Sequence, residues 1–377
     1  MTSSLSNTPK KTILIMAGGT GGHIFPAIAV AEKLQSEGWD IQWLGTADRM
    51  EAHIVPNHGF ILHYLKMTGL RGRGAVAKLK ALIALVKAIY QAVKLIKCIQ
   101  PDVVLGMGGY ASGPGGIAAK LVGKPLLIHE QNVVLGLTNR WLAKFADLVM
   151  LGFAAAQQQL PNNSKIVVTG NPVRQKIMTM VRSDVESEAT ELTINILILG
   201  GSLGARPFNQ QLPLILKKLD NVNIRHQSGK ANKSAVEAQY QCPNPRVRID
   251  EFIDDMSAAY EWADVVICRA GAITVTEIAL AGVAAIFIPL PHAVDDHQTA
   301  NANSLVERRA GFLINQVDLP GKLLHLLNDI MVNPEQLKTI RLNALDCAIS
   351  TGTDKVAELC EKFSQHSGDA GNTGVLA

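Results

Sequence analysis

The chain lacks the features that define several broad classes of protein. Its five cysteines, Cys98, Cys242, Cys268, Cys347 and Cys360, are odd in number, far apart, and form no Cys-x-x-Cys pair. A disulfide framework and a zinc site are both disfavoured, which suits a reducing compartment. No uninterrupted run of about 20 apolar residues occurs, so no transmembrane helix is expected and any membrane contact must be peripheral. The polar start, MTSSLSNTPKK, and the brief apolar run Ile13 to Ala17 behind it do not make a signal peptide. Charge is sparse: charged residues are 18% of the 377, and the formal net charge is +4. So small an excess does not imply a nucleic-acid partner.

Hydrophobic residues, by contrast, make up 47%. That supports large buried sheets, and the length predicts two domains of roughly 100–200 residues. Ile13–Ala17 reads as a buried strand, followed by a glycine turn, the helix-like AIAVAEKLQSEG ended by Gly38, and a second strand at Ile41–Leu44. The second half restarts in the same way, with a strand at Ile194–Leu199, the turn GGSLGAR and a helix from about Phe208 to Lys218. A further pair matches in order. PDVVLGMGGYASGPGGIAAKLVGKPLLIHE begins at Pro101 and ADVVICRAGAITVTEIALAGVAAIFIP at Ala263. Each reads as strand, glycine loop, alanine-rich helix and strand. The pattern predicts an α/β protein of two Rossmann-like doubly wound domains. The acidic, aperiodic VRSDVESEATEL places the linker near residues 175–192. The expected domains are 11–175 and 192–345, with 346–377 a helix and tail packing back on the first. Ligands of such sheets bind beyond the carboxyl ends of the strands, so two facing domains predict a cleft between them.

The glycine loops are the first candidate sites. Gly18-Gly19-Thr20-Gly21-Gly22-His23 lets backbone N–H groups approach a phosphate or sugar at a helix start. It is neither GxGxxG nor a P-loop, so NAD and ATP are disfavoured. The bland reading is a tight turn without a ligand, but His23 adds a group able to take a proton near neutral pH. Gly200 to Ala205 offers the same chemistry with the Ser202 hydroxyl as a donor. In the segment Arg269 to Glu277, N–H groups are placed to meet a diphosphate and Glu277 to accept from ribose hydroxyls; alternatively, Glu277 simply complements the helix dipole. HAVDDHQTANA contains Gln298, whose amide suits sugar hydroxyls, although a polar helix cap explains the stretch equally well. Arg174 of GNPVR is a plausible phosphate contact. No Asp-x-Asp occurs, so no metal site of that type is supported. From Ala75 runs AVAKLKALIALVKAIYQAVKLIKCIQ, with Leu79, Leu82, Ile83, Val86, Ile89, Tyr90 and Val93 at helical spacing. Lys78, Lys80, Lys87, Lys94 and Lys97 interleave, and Arg71 and Arg73 stand just before. Most of the apolar stripe is expected to pack on the sheet, leaving the lysines and one or two apolar residues for an anionic membrane surface.

Taken in order, GGTGGHIFPA, GMGGYASGPGG, HEQN, GNPVR, GGSLGA, EFIDDM, RAGAITVTE and DDHQTANA resemble the MurG family. These are UDP-N-acetylglucosamine:N-acetylmuramyl-(pentapeptide) pyrophosphoryl-undecaprenol N-acetylglucosamine transferases. The resemblance covers roughly residues 11–360. It implies a two-domain GT-B glycosyltransferase fold and inverting, metal-independent transfer without a cofactor. It also implies work in peptidoglycan synthesis at the cytoplasmic face of the bacterial membrane. The implied partners are UDP-N-acetylglucosamine, a lipid-linked muramyl-pentapeptide acceptor and an anionic membrane surface. By resemblance, the Ile253 backbone meets uracil, with Phe252 beside it. Ala272, Ile273, Thr274, Val275, Thr276 and Glu277 hold the diphosphate and ribose, and Ser202 and Arg174 contact the diphosphate region. Gln298 and Asn132 contact the N-acetylglucosamine. Thr20, Gly21 and Gly22 line the first-domain side. His23, Tyr110 and Glu130 are acceptor-side candidates, with His23 the candidate base. His297 stands where some members have a second glutamine, which affects a secondary sugar contact. Two rival readings share parts of this pattern: a UDP-N-acetylglucosamine 2-epimerase-like enzyme, and a non-catalytic membrane-recruitment subunit.

Overall fold

The computed structural model describes residues 10–66, 75–162, 164–180, 193–201, 204–291 and 294–369. The chain divides into two compact units, Met1–Pro172 with Thr351–Ala377, and Val173–Ser350.

The first unit is built on seven strands: β1 (Thr12–Ala17), β2 (Asp40–Gly45), β3 (Ile61–Tyr64), β4 (Val103–Gly108), β5 (Leu126–Glu130), β6 (Leu148–Leu151) and β7 (Ile166–Val168). All pair in parallel, in the order β3-β2-β1-β4-β5-β6-β7. Residues 13–17 of β1 are fully buried, as expected of a parallel strand covered on both faces. The helices are α1 (Gly21–Ser36), α2 (Glu51–Asn57), α3 (Ala75–Ile99), α4 (Ser112–Val122) and α5 (Leu137–Leu142). Ile13, Ile15 and Ala17 pack with α1 on one face; Leu14 and Met16 pack with α3 and α4 on the other. Helix α1 begins earlier than its apolar spacing suggests, at Gly21 rather than Ala27. Gly21 and Gly22 weaken a helix interior but are tolerated at its start, where the amides have no intrahelical partner anyway, and Pro26 lies inside the helix one turn further on.

The second unit has six parallel strands: β8 (Ile194–Leu199), β9 (Val222–Gln227), β10 (Val247–Asp250), β11 (Val265–Cys268), β12 (Ala284–Phe287) and β13 (Phe312–Leu313). Their order is β10-β9-β8-β11-β12-β13. Its helices are α6 (Gln175–Met178), α7 (Arg206–Leu216), α8 (Lys233–Gln239), α9 (Met256–Trp262), α10 (Ala272–Ala281), α11 (His297–Val306), α12 (Leu319–Val332) and α13 (Glu335–Asp346). Ile194, Ile196 and Ile198 share a core with Phe208 and Leu212 of α7 and Leu323 and Leu327 of α12.

The last helix, α14 (Gly352–Asp369), belongs to the first unit. It lies along α1, where Lys33 pairs with Asp354 at 3.1 Å. Val356, Ala357 and Cys360 complete the core beneath α1. A Cβ on Gly352 would lie 2.5 Å from the Asn171 carbonyl oxygen, so the helix enters where only glycine fits.

Candidate active site

In each sheet the strand order reverses next to the first strand of the unit, between β1 and β4 and again between β8 and β11. Connections leave such a pair in opposite directions, and a crevice opens at the carboxyl ends.

In the first unit the loops after β1 and β4 flank this crevice. Gly109 (φ +91°) runs so close to Gly18 that any Cβ there would overlap the Gly18 carbonyl. Glu51, 1% exposed, lies beneath the first glycine loop. It accepts from the Gly19 N–H at 2.9 Å, the Thr46 N–H at 3.1 Å and the Thr46 hydroxyl at 2.6 Å. The carboxylate thus ties the loop to the end of β2. His23 stands in the first turn of α1, with Nδ1 3.2 Å from the Gly18 carbonyl and 3.5 Å from Thr20 Oγ1. A carbonyl can only accept, so the hydrogen bond assigns the proton to Nδ1 and leaves the Nε2 lone pair open in the neutral ring. Gly108 (φ +104°) makes room for the ring, since a Cβ there would fall 2.9 Å from Nε2. Tyr110 is exposed and lies under the Arg49 guanidinium at 5.2 Å.

At the end of β5, buried Glu130 organises the HEQN turn. It accepts from the Asn132 N–H (3.0 Å), Asn132 Nδ2 (3.1 Å), the Gly136 N–H (3.0 Å) and Asn139 Nδ2 (2.9 Å). His129 is fully buried, donates through Nε2 to the Gly170 carbonyl, and is pushed down to about 4 by burial. It is therefore neutral, and structural in role. Asn132 remains half-buried on this turn.

In the second unit the loop after β8 passes through Gly201 (φ +87°) and Gly204 (φ +74°). A Cβ on Gly204 would overlap the Ser228 carbonyl. Gln227, at the end of β9, donates to the Gly201 carbonyl at 2.9 Å and accepts from the Ile253 N–H at 3.2 Å. One buried amide thus joins the second glycine loop to the EFIDDM loop. Ile253 is buried, whereas Phe252 is half exposed. After β11, Gly271 caps α10 in an extended conformation without a side-chain cap. This leaves the first-turn amides of Ala272, Ile273 and Thr274 at a positive helix end. Val275 and Thr276 turn inward, with the Thr276 hydroxyl donating to the Ala272 carbonyl at 3.0 Å.

Glu277, one turn further on, is 5% exposed. Its Oε1 accepts from Arg174 Nη2 at 3.1 Å and its Oε2 from the Tyr260 hydroxyl at 3.1 Å. Burial raises its pKa above the ordinary value, with the Arg174 charge and the two hydrogen bonds acting in opposition. The Tyr260 phenol is held far above its usual range, first by burial and then by the Glu277 charge. Gln298 accepts through Oε1 from the Leu290 N–H at 2.9 Å. Its Nε2 has no hydrogen-bond partner among the described residues.

The glycosyltransferase family 28 N-terminal domain matches residues 13–151, and the family 28 C-terminal domain matches residues 195–356. A relative from Tolumonas auensis is 52% identical over 353 residues, 93% of this chain and 99% of that protein. It is named UDP-N-acetylglucosamine--N-acetylmuramyl-(pentapeptide) pyrophosphoryl-undecaprenol N-acetylglucosamine transferase. The solved structure of Acinetobacter baumannii MurG is 40% identical, covers 93% of this chain and 99% of its own, and superposes with a TM-score of 0.80. The chain belongs to the MurG family of glycosyltransferases. A UDP-N-acetylglucosamine 2-epimerase structure at 15% identity and TM-score 0.64, covering 94% of this chain and 97% of its own, shares the fold alone.

Within this MurG-family chain, residues expected to act separately are joined. Arg174 and Glu277, assigned to diphosphate and ribose, form one ion pair. Glu130, named for the acceptor side, has its carboxylate engaged by the turn that holds Asn132. Thr20 and Gly22 are exposed and Gly21 half-buried at the head of α1. Ser202, Arg71, Arg73 and the Lys78 side chain lie outside the described residues. Sequence reasoning missed Glu51, Gln227 and Tyr260. None sits in a glycine motif. Glu51 and Gln227, which follow or end a strand, reach loops far along the chain, and Tyr260 reaches from α9 to Glu277 on α10.

Helix α3 departs from expectation. Leu79, Leu82, Ile83, Val86 and Tyr90 are exposed, and only Ile89 and Val93 of the named stripe are half-buried. Ala88, Ala92 and Ile96 make the inward seam instead. The small alanines let α3 lie close to α4, and the larger apolar side chains stay in solvent. Among the described residues no helix is long and apolar enough to cross a membrane, and no cluster of His, Cys, Asp or Glu is arranged to hold a metal.

Proposed function

We propose that this chain moves N-acetylglucosamine from UDP-N-acetylglucosamine to the muramyl-pentapeptide carried on undecaprenyl diphosphate, inverting the anomeric carbon. The observation that carries the reading is the 52% identity, end to end, with a relative named for that transfer. The second unit takes the donor. The first-turn amides of α10 and Arg174 meet the diphosphate, Glu277 the ribose, the Ile253 loop the uracil, and Gln298 the sugar. The first unit takes the acceptor, with Asn132 contributing to the sugar.

In the chemical step the acceptor oxygen bonds to the anomeric carbon as the bond to the diphosphate oxygen breaks. The hydroxyl proton passes to His23 Nε2, and UDP leaves as the anion. Fixed N–H dipoles and a guanidinium aimed at that oxygen stabilise the charge that develops on it. The Gly18 carbonyl supports the base by holding Nδ1–H and stabilising the imidazolium that forms. No step requires a metal.

The exposed apolar residues of α3, with Lys80, Lys87 and Lys94, form the surface that rests on the anionic membrane carrying the acceptor. The test of the donor assignment is a crystal soaked with UDP-N-acetylglucosamine. The reading expects the diphosphate at the head of α10 and the ribose hydroxyls on Glu277. A nucleotide seated elsewhere on the second unit would overturn it.

A further inference from the structure

The face of the second sheet that carries Asn195, Asn223 and Arg225 is polar at its β9–β10 edge. It is lined by a cleft of about 320 Å³ between that edge and Trp262 at the end of α9. Arg225, Arg246 and Arg248 all line it, and among the described residues Asp250 supplies the one carboxylate paired with Arg225 and Arg248. That carboxylate holds Arg225 and Arg248 in the same manner. Each donates through Nε, at 2.8 Å to Oδ2 and 3.1 Å to Oδ1 respectively. Both forked ends, Nη1 and Nη2, are left without a hydrogen-bond partner among the described residues. Arg225 and Arg248 are direct neighbours across the parallel ladder. The Arg225 side chain is only 17% exposed. Arg246 is exposed and makes no ion pair among the described residues.

A solvated sheet face needs polar side chains, but it does not need two guanidinium groups sharing one carboxylate and a third lining the same cleft. Like charges held this close repel unless an anion joins them. Guanidinium forks with free Nη edges match the geometry of phosphate oxygens. We infer that this cleft is a second anion site, taking the phosphate or diphosphate group of a small soluble molecule whose ring or apolar part lies against Trp262. A concave space of this size does not admit the flat surface of a bilayer, and among the described residues none of the exposed large apolar side chains lines it. The site lies along the middle and start of β9 and β10. The donor loops, by contrast, leave the strand ends at Gln227 and Glu251. The inference therefore does not rest on the donor assignment.

The experiment titrates inorganic pyrophosphate into the full chain by calorimetry, with the emission change that is lost in Trp262→Phe as a local reporter. Wild-type protein is expected to show a binding event that shifts Trp262 emission. The event should survive in Arg174→Gln and weaken at least tenfold in the double variant Arg246→Gln/Arg248→Gln. Both arginines of the double variant are solvent-exposed, so folding is retained, and the thermal midpoint verifies this. The Lys/Lys double variant, which keeps charge but not the fork, should also bind more weakly. Equal binding by wild type and the Gln/Gln variant would overturn the inference, as would full binding by the Lys/Lys variant or loss of the event in Arg174→Gln. Binding to phosphatidylglycerol vesicles through these arginines, with none to pyrophosphate, would overturn it equally.

Discussion

At the scale of single residues, the hydrogen bond from His23 to the Gly18 carbonyl matters most, because it decides which ring nitrogen is free. His23→Ala should lower kcat by about 10²–10⁴-fold with little change in donor KM, as loss of a general base does. Turnover near wild type would remove His23 from that role. Gly108→Ala should be nearly as harmful, because its positive φ and the nearby imidazole both exclude a Cβ. Glu277 supplies a pH dependence. Burial raises its pKa above 4.5, so acidification protonates it earlier than an ordinary glutamate and breaks the Arg174 pair. Donor KM should therefore rise as pH falls through that raised value. Glu277→Gln should show a high KM that no longer follows this titration. The folded state binds this proton more tightly than the unfolded chain. The stability it adds is therefore full below 4.5 and is lost as pH rises through the folded value. Tyr260→Phe removes one of the two hydrogen bonds that aim the carboxylate, and should raise donor KM several-fold while sparing kcat, consistent with a bond worth about 0.5–1.5 kcal/mol.

At the scale of elements, the strands and their glycine turns were legible in the sequence. Ile194–Leu199 is the observed strand to the residue, because a buried parallel strand is a continuous apolar run that ends where glycines begin. The glycine loops were legible for the same local reason. The supports beneath them were not. Glu51 reaches Gly19 across 32 residues, and Gln227 reaches Gly201 and Ile253 across 26 in each direction. Such links depend on which strands are neighbours, and one sequence does not state that. Helix α3 was misjudged because periodicity shows that a helix has an apolar face but not what covers it; the alanines, not the leucines, face the fold. That reversal makes a prediction. Fully burying a leucine or valine is worth about 1.5–3 kcal/mol. Leu82→Glu with Val86→Glu should therefore weaken binding to phosphatidylglycerol vesicles at least tenfold. Transfer to a soluble acceptor should be unchanged. Unaltered vesicle binding would dismiss α3 as the membrane surface.

For the whole molecule, each unit contains one buried neutral histidine among the described residues, His129 in the first and His226 in the second. Burial pushes them down to about 4 and about 3. The unfolded chain takes these protons near 6.5 and the folded chain resists them. Their stability is therefore present above 6.5 and lost as pH falls toward the folded values, on the order of 3–5 kcal/mol each when fully developed. The thermal midpoint should drop between pH 6.5 and 4, and less steeply in His226→Gln. The repeated order of strand, glycine turn and helix made both doubly wound sheets readable from sequence. This two-unit chain is a sugar transferase, and the transfer proposed for it uses no metal. The most direct test is transfer of labelled sugar from UDP-N-acetylglucosamine to a soluble analogue of the lipid-linked muramyl-pentapeptide, with and without a chelator. The account predicts labelled disaccharide at equal rates in both. Absence of transfer, dependence on a metal, or an isomerised UDP-sugar formed without acceptor would contradict it.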